Sequence, residues 1–160
     1  MKVLMVVDLQ KGFMNQDNYV ELSEKIQTLL QRTTYDKVIF TKFINKPGSM
    51  YEKFLKWSKL ETQQEQDIAI DMPENSEIWE KYGYGLQRQD IEKIKAMNID
   101  KVDICGLQTD ACVYAISFQL FDNRIFPNIL INYVATNPTR ETQAKIMLIH
   151  QFGSVDERQF

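Results

Sequence analysis

The sequence holds a single histidine, His150, in 160 residues. With one imidazole a histidine-rich metal site is impossible, although a carboxylate-only site stays open. A Cys–His dyad would have to use His150. It falls late in the last predicted helix, away from the predicted active edge, and reads as a structural or surface residue. Cysteine is almost as scarce. Cys105 and Cys112 are not in a C-x-x-C arrangement, so they build no disulfide scaffold. Free thiols fit a cytoplasmic protein better than a secreted one. An excess of one charge is lacking too. The formal net charge is −3, which offers nothing to a nucleic acid. No apolar run approaches the length of a membrane span. The stretch Val3-Leu4-Met5-Val6-Val7 stops at Asp8 without a small-residue cleavage pattern, so it reads as a buried strand rather than a signal peptide. No G-x-G-x-x-G or P-loop pattern follows it, which argues against a flavodoxin-like nucleotide binder. No repeat, low-complexity tract or linker divides the chain, so residues 1–160 are expected to form one domain. Nothing in it asks for a cofactor.

What is present is an alternation of strand and helix patterns. Lys2–Val7, Lys37–Thr41, Glu77–Lys81, Lys101–Gly106 and Asn128–Val134 read as strands. Asn18 with Glu21 has the spacing of a capping box, and Leu22, Ile26, Leu29 and Leu30 follow at helical intervals. Asp90–Met97 and Asp110–Phe121 also read as helices. Asn137-Pro138 predicts the start of a last helix, with Asn as N-cap and Pro in the first turn, and Gly153 as its stop. A short sixth strand is expected around Val155. Between Phe43 and Pro73 runs a less regular excursion with a turn at Asn45–Ser49, a short helix at Tyr51–Trp57 and a polar, exposed stretch at Thr62–Asp67. Long excursions in compact domains are often functional. Alternating strands and helices imply right-handed crossovers and a three-layer α/β/α fold with a mainly parallel sheet.

In such sheets, ligands gather beyond the carboxyl ends of the strands. That rule brings three residues to one edge. Asp8 ends the first strand, Lys81 ends the third, and Cys112 follows the fourth in the first turn of a helix. A thiol there feels the positive end of the helix dipole, and a neighbouring ammonium would favour the thiolate further. Asp8 can take the thiol proton and pass a proton to a leaving group. Backbone N–H groups in the turn Gly106–Cys112 can hold an oxyanion. Taken singly, each residue also has an ordinary reading. Cys112 would be a small buried hydrophobe, Asp8 a solvated turn residue and Lys81 an exposed lysine at a strand end. Cys105 lies inside a strand and reads as core. Lys42, Lys46, Lys53, Lys56 and Lys59 read as a solvated basic face. Phe13, Trp57, Tyr82 and Tyr84 flank the candidate site and can wall a pocket, with core packing an equal alternative for Phe13 and Trp57.

The same residues resemble those of the isochorismatase-like cysteine hydrolases, the group that includes nicotinamidases. Four segments carry the resemblance, in order, over nearly the whole chain. They are Asp8-Leu9-Gln10 with Phe13; Asn45–Ser49 followed by Trp57; Lys81-Tyr82-Gly83-Tyr84-Gly85; and Gly106-Leu107-Gln108-Thr109-Asp110-Ala111-Cys112-Val113. The last is close to the family's G-x-x-T-D-x-C-V pattern and is the most specific. The resemblance implies a Rossmann-like sheet in the order 3-2-1-4-5-6. It implies Asp8 as base, Lys81 as electrostatic partner and Cys112 as nucleophile. It further implies a cis peptide between Leu107 and Gln108, and an oxyanion hole from the N–H groups of Gln108 and Cys112. Gln10, Phe13, Trp57, Tyr82 and Tyr84 would line the substrate pocket.

The implied reaction is hydrolysis of a small amide or related C–N bond through a thioester. The small-molecule substrate would be the main partner, without nucleic acid or membrane, and family members form homodimers or homotetramers. Metal-binding nicotinamidases carry an Asp and histidines in the excursion, where this sequence has no His. Isochorismatases proper act on a vinyl ether without the cysteine, so Cys112 argues against that reaction. The chain is short for the family, which predicts a reduced lid or reduced subunit contacts. The competing reading is a non-catalytic module binding a small carbonyl compound on the same fold.

Overall fold

The structure is a computed structural model and describes residues Met1–Phe152. Five strands lie in one sheet: β1 (Val3–Val7), β2 (Lys37–Phe43), β3 (Ser76–Lys81), β4 (Lys101–Leu107) and β5 (Phe126–Ala135). Their order is β3-β2-β1-β4-β5 and every neighbouring pair is parallel. The helices are α1 (Asp17–Arg32), α2 (Met50–Leu55), α3 (Gln63–Gln66), α4 (Arg88–Ala96), α5 (Cys112–Asp122) and α6 (Glu141–Phe152). This is the expected α/β class with the expected order of its five strands. The sixth strand expected around Val155, and the stop at Gly153, lie outside the described residues.

β1 is buried along its whole length because it faces helices on both sides. Its side chains alternate between two apolar clusters. Val3, Met5 and Val7 join Ile91 and Ile94 of α4, Val113, Ile116 and Leu120 of α5, and Leu148 of α6. Leu4 and Val6 join Tyr19, Leu22 and Ile26 of α1. A side chain fully buried in this way stabilises by about 1.5–3 kcal/mol. The core therefore straddles β1 and fixes the carboxyl ends of β1, β2, β3 and β4 as one rigid edge.

Three local expectations are corrected. The α1 cap is Gln16, without a side-chain hydrogen bond, rather than Asn18. Asn18 Nδ2 instead donates to the Thr136 carbonyl at 2.8 Å, a long-range use that displaces the local cap. The last helix begins at Glu141 rather than after Asn137. Asn137 Oδ1 accepts from the backbone N–H and hydroxyl of Thr139, and Arg140 N donates to the Asn137 carbonyl, so these residues close a separate turn. The Thr62–Asp67 stretch is not simply exposed. Thr62 and Glu65 form a capping box for α3, and Gln66 is buried with its amide on the Leu60 and Glu61 carbonyls.

Candidate active site

The site is built where β1, β3 and β4 end. Asp8 leaves β1 with φ +47°, a left-handed conformation that Asp tolerates better than most residues. Thr41, at the end of β2, holds it there. The Asp8 N–H donates to Thr41 Oγ1 at 3.0 Å, and the Thr41 hydroxyl donates to Asp8 Oδ1 at 2.6 Å. Asp8, Thr41 and Lys81 are all buried.

Lys81 Nζ sits 2.9 Å from Asp8 Oδ2 and 3.2 Å from Cys112 Sγ, and it also donates to the carbonyls of Gly83 and Tyr84 at 2.7 and 3.2 Å. An ammonium has three N–H groups for these four acceptors. The hydrogen bonds go to the two carbonyls and the sulfur, so Asp8 Oδ2 is ion-paired yet accepts no hydrogen bond of normal geometry. An acceptor in that state is ready to receive a proton. The carbonyls of Gly83 and Tyr84 are the reason the small-residue turn after β3 matters: it bends the chain back over the ammonium it has just delivered.

Burial works to lower the Lys81 pKa, but the Asp8 carboxylate and the Cys112 sulfur outweigh it, and the net shift is upward. Lys81 is therefore held as a cation. Burial pushes the Cys112 thiol up, the Asp8 charge adds to this, and Lys81 opposes it. The helix terminus and the Lys81 ammonium, both expected to favour the thiolate, are therefore opposed by burial and by the Asp8 charge. Desolvation is the largest of these influences, and the net shift of the thiol is upward.

Cys112 is the first residue of α5, two residues later than expected. The Gln108 carbonyl accepts from the N–H groups of Ala111 and Val113, which closes the turn before the helix. The Leu107–Gln108 peptide is cis. Among the described residues, the N–H groups of Gln108 and Cys112 find no acceptor. β4 reaches β1 very closely just before this turn. Gly106 has φ +115°, and a Cβ there would lie 2.2 Å from the Val7 carbonyl oxygen. Only glycine allows that approach.

A cavity of about 360 Å³ opens above the three side chains, the size of a small-molecule site. Asp8, Gln108 and Cys112 form part of its lining, and Phe13, Phe43, Tyr51, Trp57 and Tyr84 give it an aromatic wall. The rings are interlocked: Phe13 stacks on Trp57 at 6.2 Å, and Tyr51 meets Phe43 and Tyr84 edge-on at 4.9 and 5.1 Å.

Two of the residues expected in the pocket are elsewhere. Gln10 is buried outside the cavity, because its amide is spent on backbone: Nε2 donates to the carbonyls of Phe43 and Gln66, and Oε1 accepts from Phe43 N. It ties the excursion to β2. Tyr82 projects to solvent, with Lys46 over its ring at 3.8 Å and its hydroxyl on Glu80. The lysines of the excursion do not line the cavity. Sequence reasoning missed Phe43, Tyr51, Leu55, Asp110 and Arg140. Phe43 was findable, since it follows the rule of residues at strand ends. Tyr51 and Leu55 were not, because the path of the excursion decides which of its faces turns inward.

The raised thiols of Cys112 and Cys105 make a pH prediction. Burial pushes the Cys105 thiol up as well, with the Asp103 charge adding to it. Unfolded thiols ionise near about 8.5. Above that pH the unfolded chain binds fewer protons than the native one, so stability falls as pH rises. Below it the contribution is constant. From about pH 8.5 to 10 the loss for each of the two thiols should steepen towards a limit of about 1.4 kcal/mol per pH unit. Denaturant melts across this window should show a two-proton slope, and Cys105→Ala should show one proton fewer. A flat profile for the unsubstituted protein would contradict the burial argument.

Comparison with known proteins identifies the family and the fold. A family model described as the isochorismatase domain matches residues 2–155. A search of curated protein sequences finds no match. Solved structures do match. An isochorismatase-like hydrolase from Alkaliphilus metalliredigens superposes with a TM-score of 0.82 at 14% identity, over 96% of this chain and 93% of that one. A nicotinamidase/pyrazinamidase from Bacillus subtilis gives 0.78 at 19%, over 96% and 98%. A pyrazinamidase from Pyrococcus horikoshii, solved in complex with zinc, gives 0.75 at 18%, over 94% and 96%. The chain thus spans nearly the full length of these structures, which corrects the expectation of a chain short for the family.

A zinc site does not fit this cavity. The excursion contributes Phe43, Tyr51, Leu55 and Trp57 to the wall, a set without imidazole, thiol or carboxylate. Among the described residues, no three His, Cys, Asp or Glu side chains gather as ligands. No described helix is long and apolar enough to cross a membrane.

Proposed function

The chain belongs to the isochorismatase domain family, and from that premise we propose that it is a cysteine hydrolase cleaving a small amide or related C–N bond with Asp8, Lys81 and Cys112. The observation that carries the reading is the single ammonium of Lys81, 2.9 Å from Asp8 Oδ2 and 3.2 Å from Cys112 Sγ at the floor of a cavity. Charge and proton then balance without any added group. As Sγ attacks the amide carbon, the thiol proton passes to Asp8 Oδ2, and the C–S bond forms. Lys81 stabilises the negative sulfur during the transfer, which a raised thiol pKa makes necessary. The oxyanion is taken by the N–H groups of Gln108 and Cys112, both without another acceptor. Asp8 returns the proton to the leaving nitrogen as the C–N bond breaks. Water then attacks the thioester as Asp8 takes its proton, the C–S bond breaks to release the acid, and Asp8 returns the proton to Sγ, which restores the thiol and the carboxylate.

The test is direct. With a panel of small amides, any amide that is turned over should also yield an acyl adduct on Cys112, found by acid quench and peptide mass spectrometry. Added hydroxylamine should divert the same acyl group to a hydroxamate. Turnover with neither adduct nor hydroxamate would exclude the thioester route. Ligand-induced thermal stabilisation with no turnover across the panel would instead favour the non-catalytic binding module.

A further inference from the structure

The cavity has a second polar feature that the hydrolytic chemistry leaves unused. Arg140 follows β5 and is the one cationic side chain among the lining residues. Its guanidinium is fixed from behind. Nε donates to Asp110 Oδ2 at 2.6 Å, and Nη2 reaches Thr136 Oγ1 at 3.4 Å. The Asp110 carboxylate is itself fully engaged, since Oδ1 accepts from the Thr136 hydroxyl at 2.6 Å. Glu141, the next residue, is also committed, to Thr136 N and to Lys145. Arginine has five N–H donors. Three of those on Arg140 have no acceptor among the described residues, and about half of its side chain is exposed. A planar donor fork held on one edge and open on the other matches a carboxylate.

Cys112 and Arg140 line the same cavity, and most of the remaining lining is apolar or aromatic: Ala111, Leu55 and the rings of the wall. A substrate that places its amide at Cys112 and extends to Arg140 would thus suit a compact, apolar body ending in an acceptor. Asp110 engages the Nε edge of the guanidinium, which leaves the other donors of Arg140 to a ligand.

We infer that Arg140 is the specificity-determining residue, and that the substrate class is a small amide with an apolar, ring-sized body and an anionic carboxylate at the end away from the scissile bond. The inference rests on the proposed hydrolysis for its amide half, while the carboxylate half stands on Arg140 alone.

Benzamide and the three carbamoylbenzoate isomers separate the two. In the unsubstituted protein, the best isomer should exceed benzamide in kcat/KM by at least about tenfold, the discrimination of one charged fork. Arg140→Met should bring that ratio close to one, and Arg140→Lys should keep part of it. A ratio is insensitive to any general damage done by removing the partner of Asp110. Binding provides the arm that needs no turnover. Cys112→Ala, titrated calorimetrically with benzoate and the benzenedicarboxylates, should bind one dicarboxylate at least about tenfold more tightly than benzoate. The added substitution Arg140→Met should abolish the difference. Hydrolysis with no preference for an anionic isomer, or a preference that survives Arg140→Met, would overturn the inference and leave the hydrolase reading intact. Arg140-dependent dicarboxylate binding without hydrolysis of any amide would do the reverse.

Discussion

Cys112→Ala should yield a folded protein whose amide turnover is lower by on the order of 10⁴-fold or more, the scale seen when a nucleophile is removed from a coupled catalytic group. The size of the effect follows from the arrangement. Asp8 and Lys81 without a sulfur still form a neutral ion pair at 2.9 Å, but nothing remains for Asp8 to deprotonate except water. The sulfur that forms the acyl bond is gone, so the covalent route is lost while the backbone N–H groups of positions 108 and 112 remain. Stability should change little, within about 1 kcal/mol, because Cys112 lies at the cavity rather than deep in a cluster and the Lys81–Asp8 pair stays intact. Steady-state kcat/KM on any amide found to be a substrate, measured beside a thermal melt, checks both halves. Turnover within tenfold of the parent in a well-folded Cys112→Ala protein would exclude Cys112 as nucleophile.

Gly106→Ala should have the largest effect on stability, a loss above about 4 kcal/mol or failure to fold. The added Cβ would stand 2.2, 2.6 and 2.9 Å from the carbonyl oxygen, nitrogen and carbonyl carbon of Val7. These are backbone atoms of the central strand, so no rotamer change can relieve the clash. The positive φ adds its own cost for any residue with a side chain. Gly83→Ala is the matched control. A Cβ there meets nothing within 4 Å, and stability should shift by no more than about 0.5 kcal/mol. Urea unfolding of the two variants provides the measurement. Similar stabilities for both would show that β1 and β4 can separate at this point, and that the close approach is not what sets the edge of the site.

The two predictions address features of different legibility. Gly106 and Cys112 belong to one continuous stretch, Gly106–Val113, whose residue types are readable in order. The strands at the centre of the sheet were readable too, because a strand buried on both faces leaves a run of Val, Ile and Leu, whereas the edge strand β3, Ser76–Lys81, is half-exposed and carries only a short apolar signal. The caps were less so. Asn18 and Asn137 have the right chemistry for helix starts, and each was drawn into another hydrogen bond, Asn18 by Thr136 from across the chain and Asn137 by Thr139 within its own turn. Gln10 failed in the same manner: its place beside Asp8 suggested a pocket, and burial turned its amide into a backbone clamp.

The protonation of Cys112 marks the boundary most clearly. The sequence by itself determined which three side chains meet, since the end of each parallel strand delivers its residue to the same edge, and it determined the fold class through the alternation of buried strands and amphipathic helices. It could not determine the charge on the sulfur. A helix terminus and a lysine both favour the thiolate, while desolvation opposes it, and the sum depends on how much water the folded chain excludes from that point. Tertiary structure also decided which face of the excursion lines the cavity and where Arg140 stands. Those outcomes depend on contacts between residues far apart in the chain, and no local pattern carries them.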